Sequence, residues 1–179
     1  MIYETREDSY LLAKYVKEYA SGRVLDMGCG PGILAEIALG KTNDVLAVDV
    51  DEEAVNFCKA KGINARVSDL FSNVNGKFDL IIFNPPYLPE DKDEDEESRR
   101  AISGGKIGSE LLERFLKNAR SYLNEGGKIL IVVSTLTGNV GRLFKNYNFK
   151  ILEEHGLFFE RLIVYLIYYK YMNKMQVLI

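Results

Sequence analysis

Cysteine and histidine are scarce in this chain. Among 179 residues there are two cysteines, Cys29 and Cys58, and one histidine, His155. No spacing among the three resembles a zinc set, so no metal site is expected. Two cysteines also give no disulfide framework, which points to a reducing cytoplasm. Long apolar runs are missing as well. The most apolar stretch, Leu162 to Tyr169, is far shorter than the roughly 20 residues that cross a bilayer, so no membrane span is expected. Glu4, Glu7 and Asp8 interrupt any signal-peptide pattern. There is no basic surplus either: 23 Lys and Arg against 26 Asp and Glu leave a net charge of −3. Phosphate contacts demand a basic face, so direct nucleic-acid binding is not expected, although a partner can still bring an RNA-bound substrate.

What is present suits one globular domain with a proper core: 47% hydrophobic and 27% charged residues. Tyr10, Leu11, Leu12, Tyr15, Val16 and Tyr19 recur at helical spacing, which predicts an amphipathic helix over 7–19 that Asp8 or Ser9 caps. Strands are expected over 23–27, 44–49, 63–67, 78–83, 128–134, 150–154 and 158–169. Helices are expected over 31–39, 52–61 (capped by Asp51), 107–123 and 140–147. Asn124-Glu125-Gly126-Gly127 and Glu154-His155-Gly156 read as turns. Strand and helix alternate through most of the chain, which predicts a doubly wound, mostly parallel α/β sheet, with one of the two late strands antiparallel at its edge. Glu90 to Glu97 forms an acidic run inside a long connection from Leu88 to Gly105.

Chemistry gathers where strands end. The first strand runs into Asp26-Met27-Gly28-Cys29-Gly30-Pro31-Gly32, whose glycines let a ligand approach the backbone closely. Ile33 stands where a dinucleotide fingerprint wants its third glycine, and Pro31 removes an N–H that would hold a pyrophosphate. The loop therefore suits an adenosyl ligand without phosphates better than NAD. Asp49 ends the second strand and can accept from ribose hydroxyls. Asp69, beside Leu70, ends the third and can accept from an adenine amine. Asn84-Pro85-Pro86-Tyr87 ends the fourth, where two prolines stop any ladder. Each piece has a plainer reading, as a tight turn, a helix cap or a strand-ending turn. Their order, each at a strand's carboxyl end, favours a ligand site.

Together these residues resemble class I S-adenosylmethionine-dependent methyltransferases. The Asn84 to Tyr87 quartet narrows the resemblance to enzymes that methylate a planar nitrogen. Tyr3 to Leu12, and Gly104-Gly105-Lys106-Ile107-Gly108, resemble the HemK-like glutamine methyltransferases of peptide-chain release factors. The chain is similar to their short archaeal and eukaryotic branch, whose members work with a small zinc-binding activator protein. Four tyrosines between Tyr165 and Tyr171 give that partner weaker, independent support, as aromatic surface at a sheet edge. The resemblance runs to about Tyr169, so residues 1–170 are expected to form one methyltransferase domain, with 171–179 a tail of open role. It implies a seven-stranded sheet, and S-adenosyl-L-methionine bound by Asp8, Ser9, Asp26, Gly28, Gly30, Gly32, Asp49, Val50, Asp69, Leu70 and Asn84. It also implies a reaction site at Asn84, Pro85 and Tyr87, where the Asn84 side chain and the Pro85 carbonyl accept from the target N–H groups and Tyr87 stacks on the planar acceptor. The quartet fits a glutamine amide, a nucleobase amine or, as a further variant, a protein lysine. A non-catalytic cofactor-binding scaffold is the remaining class, disfavoured by the intact Asn84 and glycine loop.

Overall fold

The computed structural model describes residues 7–89, 103–145 and 147–169. The acidic run, the N-terminal extension and the tail lie outside the described residues. Nine strands are described: β1 (Arg23–Met27), β2 (Asp44–Asp49), β3 (Ala65–Val67), β4 (Phe78–Phe83), β5 (Leu88–Pro89), β6 (Ser103–Gly105), β7 (Leu123–Ser134), β8 (Asn148–Gly156) and β9 (Arg161–Tyr168). Five α-helices accompany them: α1 (Glu7–Tyr19), α2 (Ile33–Leu39), α3 (Glu52–Ala60), α4 (Glu110–Ala119) and α5 (Val140–Phe144).

Seven strands form one sheet in the order β3-β2-β1-β4-β7-β9-β8, and β5 pairs with β6 apart from it. Pairing is parallel from β3 through to β7. β9 enters antiparallel to β7 and is itself flanked by β8, so the expected mostly parallel sheet with its antiparallel late strand is present. β9 is thereby covered on both sides. Tyr165 is buried against Phe144 and Phe149 and Tyr169 packs on Tyr147, whereas Tyr168 is exposed and Tyr171 lies outside the described residues.

Apolar alternation explains the layers. Val24, Val45, Ala47, Leu80 and Ile82 face α1, α2 and α3, while Leu25, Leu46, Ile81, Phe83 and Ile129 face α4 and the buried rings of Phe115 and Phe144. Between these layers β1 and β4 bury all but one residue each, and β7 is continuously buried from Ile129 to Ser134.

Local expectations shift where tertiary pairing overrides them. Asn124 to Gly127 is a bulge inside β7 and not a turn: Phe78 pairs with Leu123 and Leu80 with Lys128, and Gly126 takes φ +76°. The late hairpin turns at Leu157–Glu160, where the Leu157 N–H donates to the Glu160 carbonyl (2.7 Å), so His155 lies within β8. Phe158 and Phe159 stand exposed at that tip. α1 is described from Glu7, which puts Asp8 and Ser9 inside its first turn and removes them as caps. α4 starts three residues late, because Glu110 turns back to accept the N–H groups of Ile107 and Ser109 (both 3.1 Å). The glycines before it have a packing reason. A Cβ on Gly104 would sit 2.7 Å from the Pro86 carbonyl oxygen, and one on Gly108 would sit 2.5 Å from that of Tyr87. This segment lies directly on the backbone of the strand-end turn.

Candidate active site

The carboxyl ends of β1, β2 and β4 are neighbours, so the glycine loop, Asp49 and Asn84 open on one side of the sheet. Gly28, Gly30 and Gly32 all take positive φ (+66°, +46° and +79°), which ordinary residues resist. The loop is tied down by Cys29 N–H to Val48 O (3.0 Å) and Gly30 N–H to Asp49 Oδ2 (2.8 Å). Asp49 also accepts the Asp51 N–H at Oδ1 (3.0 Å), and Asp51 caps α3 as expected by accepting from Glu53 N (2.9 Å). Each carboxylate oxygen of Asp49 keeps a further lone pair for an incoming hydroxyl. Burial pushes the Asp49 carboxyl above its ordinary value, and the bound N–H groups counter part of that. Val50 beside it is exposed. In front of Gly30 a Cβ would meet nothing within 4 Å, so that stretch of loop faces open space. Cys29 and Cys58 approach to 3.6 Å beneath the loop as free thiols.

Asp26 is the least expected member. It is 1% exposed, and neither carboxyl oxygen has a hydrogen-bond partner of normal geometry among the described residues. Burial, with Cys58 nearby, pushes its pKa up to about 8, offset in part by the Ala35 N–H. A buried, unsatisfied acid beside a glycine loop is ready to meet a cationic or donor group.

The turn after β4 meets the first turn of α1. Tyr87 donates its hydroxyl to Asp8 Oδ2 (3.0 Å), and Asn84 Nδ2 donates to Ser9 Oγ (3.1 Å). Asp8 and Ser9 are both buried, at 3% and 9% exposure. Asn84 Oδ1 is buried and has no partner among the described residues. Pro85 is buried, and Tyr87 packs against the α1-side core.

Asp69 behaves differently. It is exposed and pairs with Arg114 of α4 at 2.8 Å. Leu70 takes φ +48° and is half-buried. Both line an open cavity of about 490 Å³ with Ser72, Arg114 and Tyr122, and none of Asp26, Asp49 or Asn84 reaches it. Sequence reading missed Arg114, which sits among ordinary polar residues on the outer face of an amphipathic helix.

Residues 5–154 match the family described as the methyltransferase small domain. The chain belongs to that family. It is a methyltransferase, and S-adenosylmethionine is the methyl donor of the class. A protein of Methanocaldococcus jannaschii named as a candidate protein N5-glutamine methyltransferase is 43% identical, over 76% of this chain and 74% of its own length. The release factor glutamine methyltransferase of Streptococcus pneumoniae is 32% identical, over 69% of this chain and 50% of its own, so the chain spans half of that relative. Among solved structures, the Mtq2–Trm112 complex of E. cuniculi, described as responsible for methylating the termination factor eRF1, superposes with a TM-score of 0.75 at 24% identity, covering 93% of this chain and 97% of that one. No helix among the described residues is long and apolar enough to cross a membrane.

For this methyltransferase, the arrangement offers two kinds of capacity. The loop supplies open backbone at Gly30, hydroxyl acceptors at Asp49 and the unsatisfied acid Asp26, a donor set that fits an adenosyl amino acid. The β4 turn supplies an unused oxygen acceptor at Asn84, held on a stiff two-proline turn.

Proposed function

We propose that this chain is a protein-glutamine N5-methyltransferase acting on a peptide-chain release factor. The observation that carries the proposal is the buried Oδ1 of Asn84, which has no partner among the described residues. A buried acceptor without a donor costs about 1–3 kcal/mol, so a substrate N–H arriving there is favoured by that relief. A glutamine side chain brings two N–H groups. Asn84 Oδ1 takes one and the adjacent Pro85 carbonyl takes the other, which turns the nitrogen toward the glycine loop. Tyr87 lies beside the planar amide.

Bound at the loop, S-adenosylmethionine supplies a methyl group on a sulfonium, a leaving group that needs no acid. The chain's own task is positioning. An amide nitrogen is a poor nucleophile because its lone pair is delocalised, and holding both N–H groups fixes its approach. Orientation of this kind is worth up to about 7–11 kcal/mol. The nitrogen gains a carbon, and its displaced proton leaves to solvent, so no His or Cys base is required.

A nucleobase amine also carries two N–H groups. The 43% identity to a protein-glutamine candidate and the net charge of −3 favour the protein substrate. The same reading brings in a small partner subunit, of the kind seen with Mtq2, and a cytoplasmic setting where termination factors work. It takes residues 1–170 as one catalytic unit.

The test is single-turnover methyl transfer from labelled cofactor to release factor, bulk tRNA and duplex DNA. Release factor should be the substrate. Asn84→Ala should lower that rate about ten- to a hundred-fold, with cofactor affinity unchanged. A rate within about threefold of wild type removes Asn84 as the amide ligand.

A further inference from the structure

A side-chain amide has two ends of nearly equal size and opposite polarity. Its oxygen accepts and its NH2 donates, and only the surrounding hydrogen bonds decide which way it points. For Asn84 the direction matters, since its oxygen has to face the acceptor nitrogen. Nothing within the Asn-Pro-Pro-Tyr turn sets that direction. The partner that does so is Ser9, on a different element and 75 residues away in the chain.

Ser9 Oγ lies 3.1 Å from Asn84 Nδ2 and 3.2 Å from Asp8 Oδ1. A hydroxyl has one hydrogen to give. Asp8 Oδ1 also accepts the Ser9 backbone N–H (2.6 Å), and Asp8 Oδ2 accepts the Tyr87 hydroxyl (3.0 Å). A carboxylate offers no hydrogen in return. The Ser9 hydroxyl hydrogen therefore points at Asp8, and the oxygen's lone pairs face Asn84. Only the NH2 end of Asn84 can pair with them. A flipped amide would set Oδ1 against those lone pairs and turn a donor toward the substrate's own donors. Asp8 and Ser9 are 3% and 9% exposed, which leaves water little room to substitute for either.

We infer that Asp8 and Ser9 form a polarity relay that locks the Asn84 amide with its oxygen toward the acceptor nitrogen. Ser9 is then a positioning residue for methyl transfer, in place of the cofactor contact that the family resemblance implies for it. The same carboxylate holds Tyr87, so both groups beside the acceptor hang from Asp8. This inference rests on the reading of Asn84 as the amide acceptor.

The experiment compares Ser9→Ala, Ser9→Thr and Asn84→Ala in the full chain. Three quantities are read: single-turnover transfer to release factor, cofactor affinity, and the ¹⁵N-labelled side-chain amide signals, with the Asn84 signal identified by its loss in Asn84→Ala. Ser9→Ala should lower the saturated single-turnover rate at least fivefold, leave cofactor affinity unchanged and shift the Asn84 NH2 signal. Ser9→Thr, which keeps the hydroxyl, should restore both within about twofold. Ser9→Cys keeps the volume but weakens the acceptor, and gives the same test if Ser9→Ala fails to fold. A Ser9→Ala rate within twofold of wild type, while Asn84→Ala falls as expected, overturns the relay and leaves the Asn84 reading intact. Weakened cofactor binding with an unchanged saturated rate makes Ser9 a cofactor ligand and also overturns it. An Asn84→Ala rate within threefold of wild type removes the reading itself, and the relay with it.

Discussion

The ends of the central strands and the end of the edge strand carry similar residues in opposite states. Asp26 lies on β1 and is 1% exposed, and Asn84 follows β4; both strands are interior to the sheet. Neither carboxyl oxygen of Asp26 has a hydrogen-bond partner of normal geometry, and the amide oxygen of Asn84 has none, among the described residues. Asp69 follows β3 at the sheet margin, is exposed, and is already paired with Arg114. An unsatisfied buried polar group costs about 1–3 kcal/mol, whereas an exposed ion pair contributes about 0–1 kcal/mol. Free energy available for ligand binding is therefore concentrated in the centre, and the margin has little to release.

The sharpest way to break that contrast is at Asp26. Its folded-state pKa is raised to about 8 from an ordinary 3.8. Between those values the folded protein holds a proton that the unfolded chain has released, so stability should fall as pH rises through that window and level off above it. The full effect is of the order of 5 kcal/mol. Asp26→Asn removes the titration. Denaturant midpoints should show the variant gaining steadily on wild type from about pH 4 to about pH 8 and holding level above that. A gap that stays constant with pH would mean that Asp26 is not held neutral by burial.

A second comparison separates packing from ligand space inside the glycine loop. At Gly32, φ is +79°, and an added Cβ would lie 2.8 Å from Cys58 Sγ and 2.9 Å from Ile63 Cδ1. Left-handed strain of about 1–2 kcal/mol and overpacking of about 1–3 kcal/mol should make Gly32→Ala lose about 2–5 kcal/mol of stability. Gly30 faces open space at φ +46°, so Gly30→Ala should lose only the backbone part, about 1–2 kcal/mol. Its larger effect should be on cofactor affinity, measured by calorimetry. Equal stability losses at the two positions would show that the loop is uniformly packed and has no open face.

These contrasts were only partly legible in the chain. The glycine loop, Asp49 and the Asp51 cap follow short-range rules, and each stands where those rules put it. Asn84 was legible as a strand-end amide, but its direction was not, because Ser9 lies 75 residues away. Asn124 to Gly127 carries turn residues, yet pairing with β4 pulls it into β7 as a bulge. The antiparallel character of the late strands followed from their short connection, while the order β9 before β8 depended on which of them could bury Leu162, Val164 and Leu166. Asp69 reads as a ligand residue from its position at a strand's end; its exposure and its pairing with Arg114 depend on tertiary structure, which sequence position does not reveal.

The smallest expected effect lies at that margin. Asp69 and Arg114 are joined at 2.8 Å, with side chains 56% and 58% exposed, so solvent screens the pair and its loss should cost no more than about 1 kcal/mol. Arg114→Ala should lower the denaturation midpoint slightly, and raised salt should abolish the difference, since the Debye length shrinks to about 3 Å at 1 M. The same variant also frees the Asp69 carboxylate. If Asp69 takes an adenine amine from the cofactor, Arg114 competes for that oxygen, and Arg114→Ala should leave cofactor affinity unchanged or raise it, while Asp69→Asn lowers it. If Asp69 serves only the ion pair, Asp69→Asn and Arg114→Ala should have equal, small effects on stability and none on cofactor affinity. Calorimetric titration of the two variants separates these outcomes. A large loss of affinity in Arg114→Ala would overturn both, because it would place the arginine itself, and the margin it belongs to, among the groups that bind the cofactor.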